Sequence, residues 1–480
     1  FEGYVISDWI LGLRDAGPSV IAGLDIEMPY RMVRQQHLPA AMESGEVTWA
    51  DVDRCVERVI ATLLRFDDVL SSPSPSFDVL GAPEHRALAR EAAARSVVLL
   101  RNELVDGASV LPLDRAQRVA VIGRLADTVN IGDGGSSDVW DLSCRTVLDG
   151  LRDAIAEVVH DDGADVARAA EVAHNADVAI VVVGYTYVDE GEYIGETDPS
   201  LMALFPAGDE ADVVDQFQGS LEGLPHTTKP GRLSDRPRMF SRGGDRISLR
   251  VPPGDVELIR AVAAANLRTV VVIQAGSAVI TTEWTSDVAA VVQSWYGGAE
   301  AGPGLADVLI GTVNPSARLP FTVPVDESDL VPFDRDATTF TYDRWHGWWR
   351  AARNEIAPAY PFGFGLSYTT FRLDDVTAIV DGSNIVVRGT VRNTGDRDGA
   401  DVVQVYADLP DADAPSRLIG FARVHVAAGA ATPFVITVPS DRLATRDSEH
   451  RSWSPPAGPH IITTARFAGD PDVTSVAIDL

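Results

Sequence analysis

Lysine is almost absent from this chain. Of its 480 residues only Lys229 is one, and the other basic residues are arginines. Lys and Arg together number 40 against 70 Asp and Glu, a formal net charge of −30. A surface that acidic repels phosphate backbones and anionic lipid headgroups, so neither a nucleic acid nor a membrane is expected as a partner. A small neutral or cationic substrate is compatible with it. Cysteine is nearly missing as well. Cys55 and Cys144 are too few for a disulfide framework, and they lack the spacing of a metal site. No metal and no other cofactor is expected. No apolar run reaches the ~18 residues that a spanning helix needs. There is no initiator Met and no charged start leading into an apolar segment. The chain opens inside a strand pattern, so it reads as a fragment whose targeting signal would lie upstream. Localisation stays unknown, with the cytoplasm favoured.

What is present is ample core: 45% of residues are hydrophobic and 23% charged, in a length that holds two or three domains. The first nine residues are Phe1-Glu2-Gly3-Tyr4-Val5-Ile6-Ser7-Asp8-Trp9. Tyr4, Val5 and Ile6 predict a buried strand, with Ser7, Asp8 and Trp9 at its C-terminal end. In a parallel α/β architecture that end is where side chains leave the packed layer and meet a ligand. An acid beside a flat apolar ring suits a sugar, although Asp after a strand is also a common helix cap or turn former. A helix over 18–22 and a second short strand within Gly23–Pro29 follow. From Leu38 to Leu64 the apolar spacing predicts one or two amphipathic helices, with Thr48 or Asp51 as cap and Cys55 as core filler. Two strand-then-helix units resemble the closing part of a β/α barrel, over 1–70. Residues 71–83 are a Ser/Pro linker.

Beyond it, β-branched runs alternate with helical patterns. Strands are predicted at about 96–100, 118–122, 177–183, 269–274 and 288–293, and helices at about 83–95, 146–159, 166–174, 255–266 and 301–310. This is a largely parallel sheet covered on both faces, an α/β domain over 84–325. Gly132–Asp138 is a polar Gly-rich loop without the pattern of a phosphate cradle. Asp198–Phe240 is long and polar enough to be an inserted subdomain or lid. A connecting segment spans 326–373. From 374 to 480 the period changes to two, with strands at 385–391, 401–406, 419–426, 433–438 and 461–465, which predicts an immunoglobulin-like or fibronectin type III-like β-sandwich.

A second candidate site is Val188-Asp189-Glu190-Gly191-Glu192-Tyr193, which follows the strand at 177–183. Crowding three acids there would raise the pKa of at least one, which suits a general acid; the plain alternative is a solvated acidic turn. Asp161-Asp162-Gly163-Ala164-Asp165 lacks the downstream spacing of a calcium loop and reads as a solvated turn. The aromatic stretch Arg344–Arg350 is either a sugar platform or, preferably, interdomain packing.

Taken in order, these segments are similar to the C-terminal two-thirds of a glycoside hydrolase family 3 β-glucosidase. Gly3–Trp9 resembles the family's nucleophile segment and Ala22–Pro29 its partner strand. Arg90–Ala93, Ser96–Asn102 and Leu111–Leu113 resemble the entry to its α/β sandwich domain. Arg318–Thr322 and Tyr360–Phe371 resemble the end of that domain, and Val391–Gly395 with Val402–Tyr406 its fibronectin type III-like domain. The resemblance implies a retaining mechanism in which Asp8 is the nucleophile and Glu190 the acid/base, with Glu192 as runner-up and Trp9 against the sugar. It implies a pocket at a domain interface, with the two carboxylates about 5–5.5 Å apart. The family's earlier barrel strands, which hold most of the sugar, have no counterpart here. The expectation is therefore an exo-acting β-glucosidase, truncated and with little activity as an isolated chain. Its expected partner is a small carbohydrate, and a homo-oligomer is possible. The alternatives are a β-xylosidase or related exo-glycosidase, and a non-catalytic carbohydrate-binding fragment.

Overall fold

Runs of Val, Ile and Ala decide where the largest core of this protein forms. The computed structural model describes residues 1–9, 12–29, 32–132, 137, 143–192, 244–334, 337–411 and 413–480. Most of the Gly132–Asp138 loop, Tyr193 and all of Asp198–Phe240 lie outside the described residues. No helix among the described residues is long and apolar enough to cross a membrane. The described residues before Pro83 form one compact unit and those from Pro83 onward another.

In the first unit, strands β1 (Ile6–Trp9) and β2 (Ile26–Met28) pair in parallel, with Ile6 opposite Ile26 and Trp9 opposite Met28. Helices α1 (Gly17–Ala22), α2 (Val33–Glu43) and α3 (Trp49–Arg65) accompany them. The strand starts later than the apolar run Tyr4–Ile6 predicts. Val5 and Ile6 are exposed, while Ser7 is buried. Hydrogen bonding sets this register: the Asp25 carboxylate accepts the Val5 N–H at 2.7 Å, and the Ser7 hydroxyl accepts the Met28 N–H at 2.9 Å. Asp8 and Trp9 are thereby part of the strand. Thr48 and Asp51 act together as a capping box on α3. Cys55 is buried with Val20, Ala41 and Val47, whereas Val56, Ile60 and Leu63 on the same helix remain 47–50% exposed.

The second unit holds a six-stranded sheet. Its strands are β3 (Val98–Asn102), β4 (Arg118–Ile122), β5 (Glu157–Asp161), β6 (Val178–Gly184), β7 (Thr269–Gln274) and β8 (Ala290–Gln293). Their order is β3-β8-β7-β6-β4-β5. All neighbours are parallel except β3, which runs antiparallel to β8. Alternate residues of β6 serve opposite cores. Val178, Ile180 and Val182 pack with α4 (Pro83–Ser96), α5 (Val147–Ala154) and α9 (Ala301–Leu309). Ala179, Val181 and Val183 pack with α6 (Val166–His174) and α8 (Pro253–Ala265). The helix predicted over 146–159 stops at Ala154, and its last residues form the edge strand β5. Ile155 is extended, and the β-branched pair Val158-Val159 lies opposite Val119 and Ala120. Asp161 is not a solvated residue: it is buried, and Arg168 Nε meets it at 2.6 Å.

Strands β9 (Phe371–Asp381), β10 (Asn384–Asn393), β11 (Gly399–Asp408), β12 (Arg417–Val426), β13 (Ala431–Pro439), β14 (Pro459–Ala465) and β15 (Thr474–Asp479) make the sandwich. One sheet is β9-β10-β13, the other β12-β11-β14-β15. Edge strands β9 and β15 carry too many polar residues to stand out by alternation alone. The aromatic stretch packs here. Trp348, on α10 (Gly347–Arg353), stacks on Phe362 at 5.5 Å and meets Tyr406 edge-on at 5.7 Å, while Arg353 covers the Trp345 ring. Arg318 closes the junction, donating to the Asp401 carboxylate and the Gly365 carbonyl.

Asp401 is fully buried. Asp401→Ala would leave the largely buried Arg318 charge without its carboxylate, with only the Gly365 carbonyl still accepting from it. A loss of about 3–5 kcal/mol is expected, read as a lowered urea midpoint against wild type.

Candidate active site

Glu190 owes its place to the way β6 ends. Gly184 closes the strand at φ +129°, and a Cβ there would stand 2.0 Å from the Gln274 carbonyl oxygen, so only glycine fits. Tyr185 then donates its N–H to that same carbonyl at 2.9 Å and turns its ring into the core. Thr186 caps a single helical turn, α7 (Tyr187–Glu190), and the Asp189 carboxylate accepts the Thr186 N–H at 2.9 Å. Asp189 is therefore spent on local structure, and Glu190 is delivered at the end of the turn.

The expected crowding of acids is not what surrounds Glu190. Its Oε1 accepts the Gly276 N–H at 2.6 Å and the Tyr296 hydroxyl. Its Oε2 faces Arg246 Nε at 3.2 Å. Arg246 is itself held by Ser277 and by the Ala278 carbonyl, and its guanidinium lies 4.4 Å from the centre of the Tyr185 ring. Burial, and after it the Glu190 carboxylate, pushes the Tyr296 phenol upward, so it stays a donor. A carboxylate reached by a cation, a phenol and an amide is held in one place and is not part of a solvated turn.

The chain also closes on itself here. Gly191 N–H donates to the Gly244 carbonyl and Gly244 N–H to the Tyr187 carbonyl, both at 2.9 Å. The segment after Gly191 thus leaves and returns at one point, and Arg246 follows two residues after the return. Arg246, Tyr296 and Gly276 were not legible as partners of Glu190. The length and polarity of Asp198–Phe240 were the available signal. If that stretch is an insertion, Gly191 resumes at Gly244 and brings Arg246 beside Glu190. Arg246 and Asp189 also line a cavity of about 800 Å³ with Tyr185, Arg250 and Glu283. Glu190 is not among its lining residues, so the cavity backs the loop.

In the first unit Asp8 is exposed on β1, and its Oδ1 accepts the Trp9 N–H at 2.7 Å. Trp9 is 50% exposed. Gly12 presses against them: a Cβ there would lie 2.7 Å from the Asp8 carbonyl oxygen and 2.8 Å from its Cβ. Behind the strand, burial raises the Asp25 carboxyl, but Arg58 and the Val5 N–H outweigh it and leave the group below its ordinary value. Asp25 thus ties the start of β1 to α3. Asp8 and Trp9 belong to one unit and Glu190 and Glu192 to the other. Among the described residues no three His, Cys, Asp or Glu side chains gather as a metal site would require.

A family model described as the glycosyl hydrolase family 3 C-terminal domain matches residues 97–368, and one for a fibronectin type III-like domain matches 401–466. The whole chain is 31% identical to an exo-α-(1→6)-L-arabinopyranosidase of Bifidobacterium longum. Over 98% of its length it is 29% identical to a β-glucosidase of Rhizobium radiobacter, of which it covers 72%. It spans 59% of the Bifidobacterium longum protein, and 59% of the arabinopyranosidase of Bifidobacterium breve. Among solved structures, a GH3 β-glucosidase of Bifidobacterium adolescentis superposes with TM-score 0.77 at 27% identity, covering all of this chain and 65% of that one. A β-glucosidase of Streptomyces venezuelae solved with D-glucose gives 0.77 at 23% identity, covering all of this chain and 72% of that one, a likeness of fold alone. These likenesses bear out the expected α/β domain and β-sandwich.

Two outcomes follow from this geometry. Replacing residues 192–243 by a short Gly/Ser linker should leave the melting temperature of the second unit within a few degrees of the parent, because the bonds at Gly191 and Gly244 persist. Asp255, in the first turn of α8, accepts the Gly184 N–H at 3.4 Å. Burial holds its carboxyl above the ordinary 3.8 despite Arg124 and that N–H. The folded state therefore keeps this proton longer than the unfolded one. Stability from this group is complete below pH 3.8 and declines as pH rises through the folded value. Asp255→Asn should remove the decline: the variant melts higher at pH 7, and the difference vanishes below pH 3.8 in melting curves across pH.

Proposed function

The chain belongs to glycosyl hydrolase family 3, and from that premise we propose that it serves a retaining exo-glycosidase acting on terminal β-glucosyl residues, with Asp8 as nucleophile and Glu190 as acid/base. The observation that carries this reading is the Glu190 carboxylate, held by Arg246, Tyr296 and Gly276 at the end of the central strand β6. In the first step the Asp8 carboxylate bonds to the anomeric carbon while Glu190 gives its proton to the departing oxygen. In the second, water attacks the glycosyl-enzyme and Glu190 takes the water's proton. Trp9, half exposed beside Asp8, offers an indole face on which the apolar side of a sugar ring stacks. Glu192 is the lesser candidate because the Gly276 N–H and the Tyr296 hydroxyl donate to Glu190.

The sugar itself has a second reading. Two relatives with identities of 31% and 30% are named arabinopyranosidases, above the 29% of the Rhizobium radiobacter β-glucosidase. An α-L-arabinopyranoside presents a pyranose ring without a hydroxymethyl arm, and so does a β-xyloside. The isolated 480-residue chain is proposed to turn over little, since it spans 59% of those two relatives.

The test is hydrolysis of aryl β-glucoside, aryl β-xyloside and aryl α-L-arabinopyranoside by the full-length protein, next to Asp8→Asn and Glu190→Ala. Turnover of the glucoside is expected to vanish in Asp8→Asn. In Glu190→Ala it should fall by about 10²–10⁴-fold on a poorly leaving aglycone. Preference for the arabinopyranoside would move the assignment to the second sugar. Binding without turnover of any of the three would make the protein a carbohydrate-binding one.

A further inference from the structure

Tyr296 reaches Glu190 because the residue before it is twisted. Trp295 follows β8 with φ +60°, a left-handed conformation that a bulky residue rarely adopts. Its ring is fixed on both sides: Nε1–H donates to the Ser96 carbonyl at 2.8 Å, and Phe321 meets it edge-on at 5.6 Å. Ser294 is fixed too, with its N–H and its hydroxyl both donating to the Ile273 carbonyl. The chain must therefore reverse within one residue, and the reversal carries the Tyr296 hydroxyl to Glu190. Backbone strain of this kind persists where surrounding contacts over-determine it, and it gathers at functional sites.

We infer that Tyr296 is a positioning residue for Glu190: with the Gly276 N–H it fills Oε1 as a donor, so that Oε2 is the oxygen that carries the transferable proton. This rests on the acid/base role proposed for Glu190. Among the described residues Oε2 has one partner, Arg246 Nε, and so keeps a lone pair for that proton. When the glycosidic C–O bond breaks, its electron pair goes to the leaving oxygen, which takes the proton from Oε2. The carboxylate left on Glu190 is met by the phenol, the amide and the guanidinium, and Asp8 completes the new bond to the anomeric carbon. Without the phenol, Oε1 and Oε2 would exchange roles, and the proton would face the wrong direction for part of the time.

The experiment compares wild type, Tyr296→Phe and Glu190→Ala in the full-length protein on two glycosides of the sugar it prefers. One carries 2,4-dinitrophenol, which departs without protonation, and the other an alkyl alcohol, which needs it. Phenylalanine keeps the ring beside Gly276, which a Cβ there would meet at 3.4 Å, and removes only the hydroxyl; an unchanged melting temperature verifies folding. For Tyr296→Phe, kcat/KM should fall about 10-fold or more on the alkyl glycoside and less than about 3-fold on the dinitrophenyl one. Equal loss on both, or no loss, while Glu190→Ala still shows the selective pattern, overturns the role of Tyr296 alone. If Glu190→Ala loses both substrates equally, or wild type turns over neither, the acid/base reading fails and this inference with it.

Discussion

A parallel sheet covered on both faces has little room for polar side chains within its strands, and the buried ones here, Thr269, Gln274, Gln293 and Asp161, stand at strand ends. All seven residues of β6 are buried, and its apolar side chains alternate between the two cores. That constraint moves chemistry to the strand ends, where the backbone must turn without colliding with its neighbours. Gly184 meets the requirement at β6 and the left-handed Trp295 meets it past β8. Glu190 and Tyr296 are what those two turns deliver. The smaller sheet of the first unit obeys a looser version of the rule, because its strands are short and Asp8 is already exposed within β1.

The scarcity of lysine has a structural counterpart. Buried or half-buried acids at several points are each met by an arginine: Asp25 by Arg58, Glu190 by Arg246, Asp401 by Arg318 and Asp470 by Arg466. A guanidinium suits this work. It is weakly hydrated, always charged and able to bond in several directions at once. Arg246 shows the point, with its head shared among a carboxylate, a hydroxyl, a carbonyl and an aromatic face. The acids that give the chain its net charge of −30 are thus partly internal fasteners.

Much of the architecture was legible because buried strands announce themselves. The runs at Arg118–Ile122 and Thr269–Gln274 are read from Val and Ile alone, and the structure keeps their bounds. Where hydrogen bonding outranks apolar content, the reading slips. The first strand is set by Asp25 and Ser7, and β5 hides behind a helical pattern because it lies at an edge and needs only two apolar residues. The candidate acid could be found from its position after a strand and its resemblance to family 3. Its partners could not: Gly276 lies 86 residues away and Tyr296 106, with no local pattern linking them. Glu190 is drawn from one strand end, Gly276 and Tyr296 from two others, and only the sheet order brings the three together.

The pair of hydrogen bonds that joins Gly244 to Gly191 and Tyr187 also bears on chain statistics. A tether whose ends are already pinned costs the fold little conformational entropy as it grows. Each doubling of its length adds only ~0.6 kcal/mol. For a flexible connection of any length, the bonds at Gly191 and Gly244 therefore hold Arg246 beside Glu190 at nearly the same conformational cost.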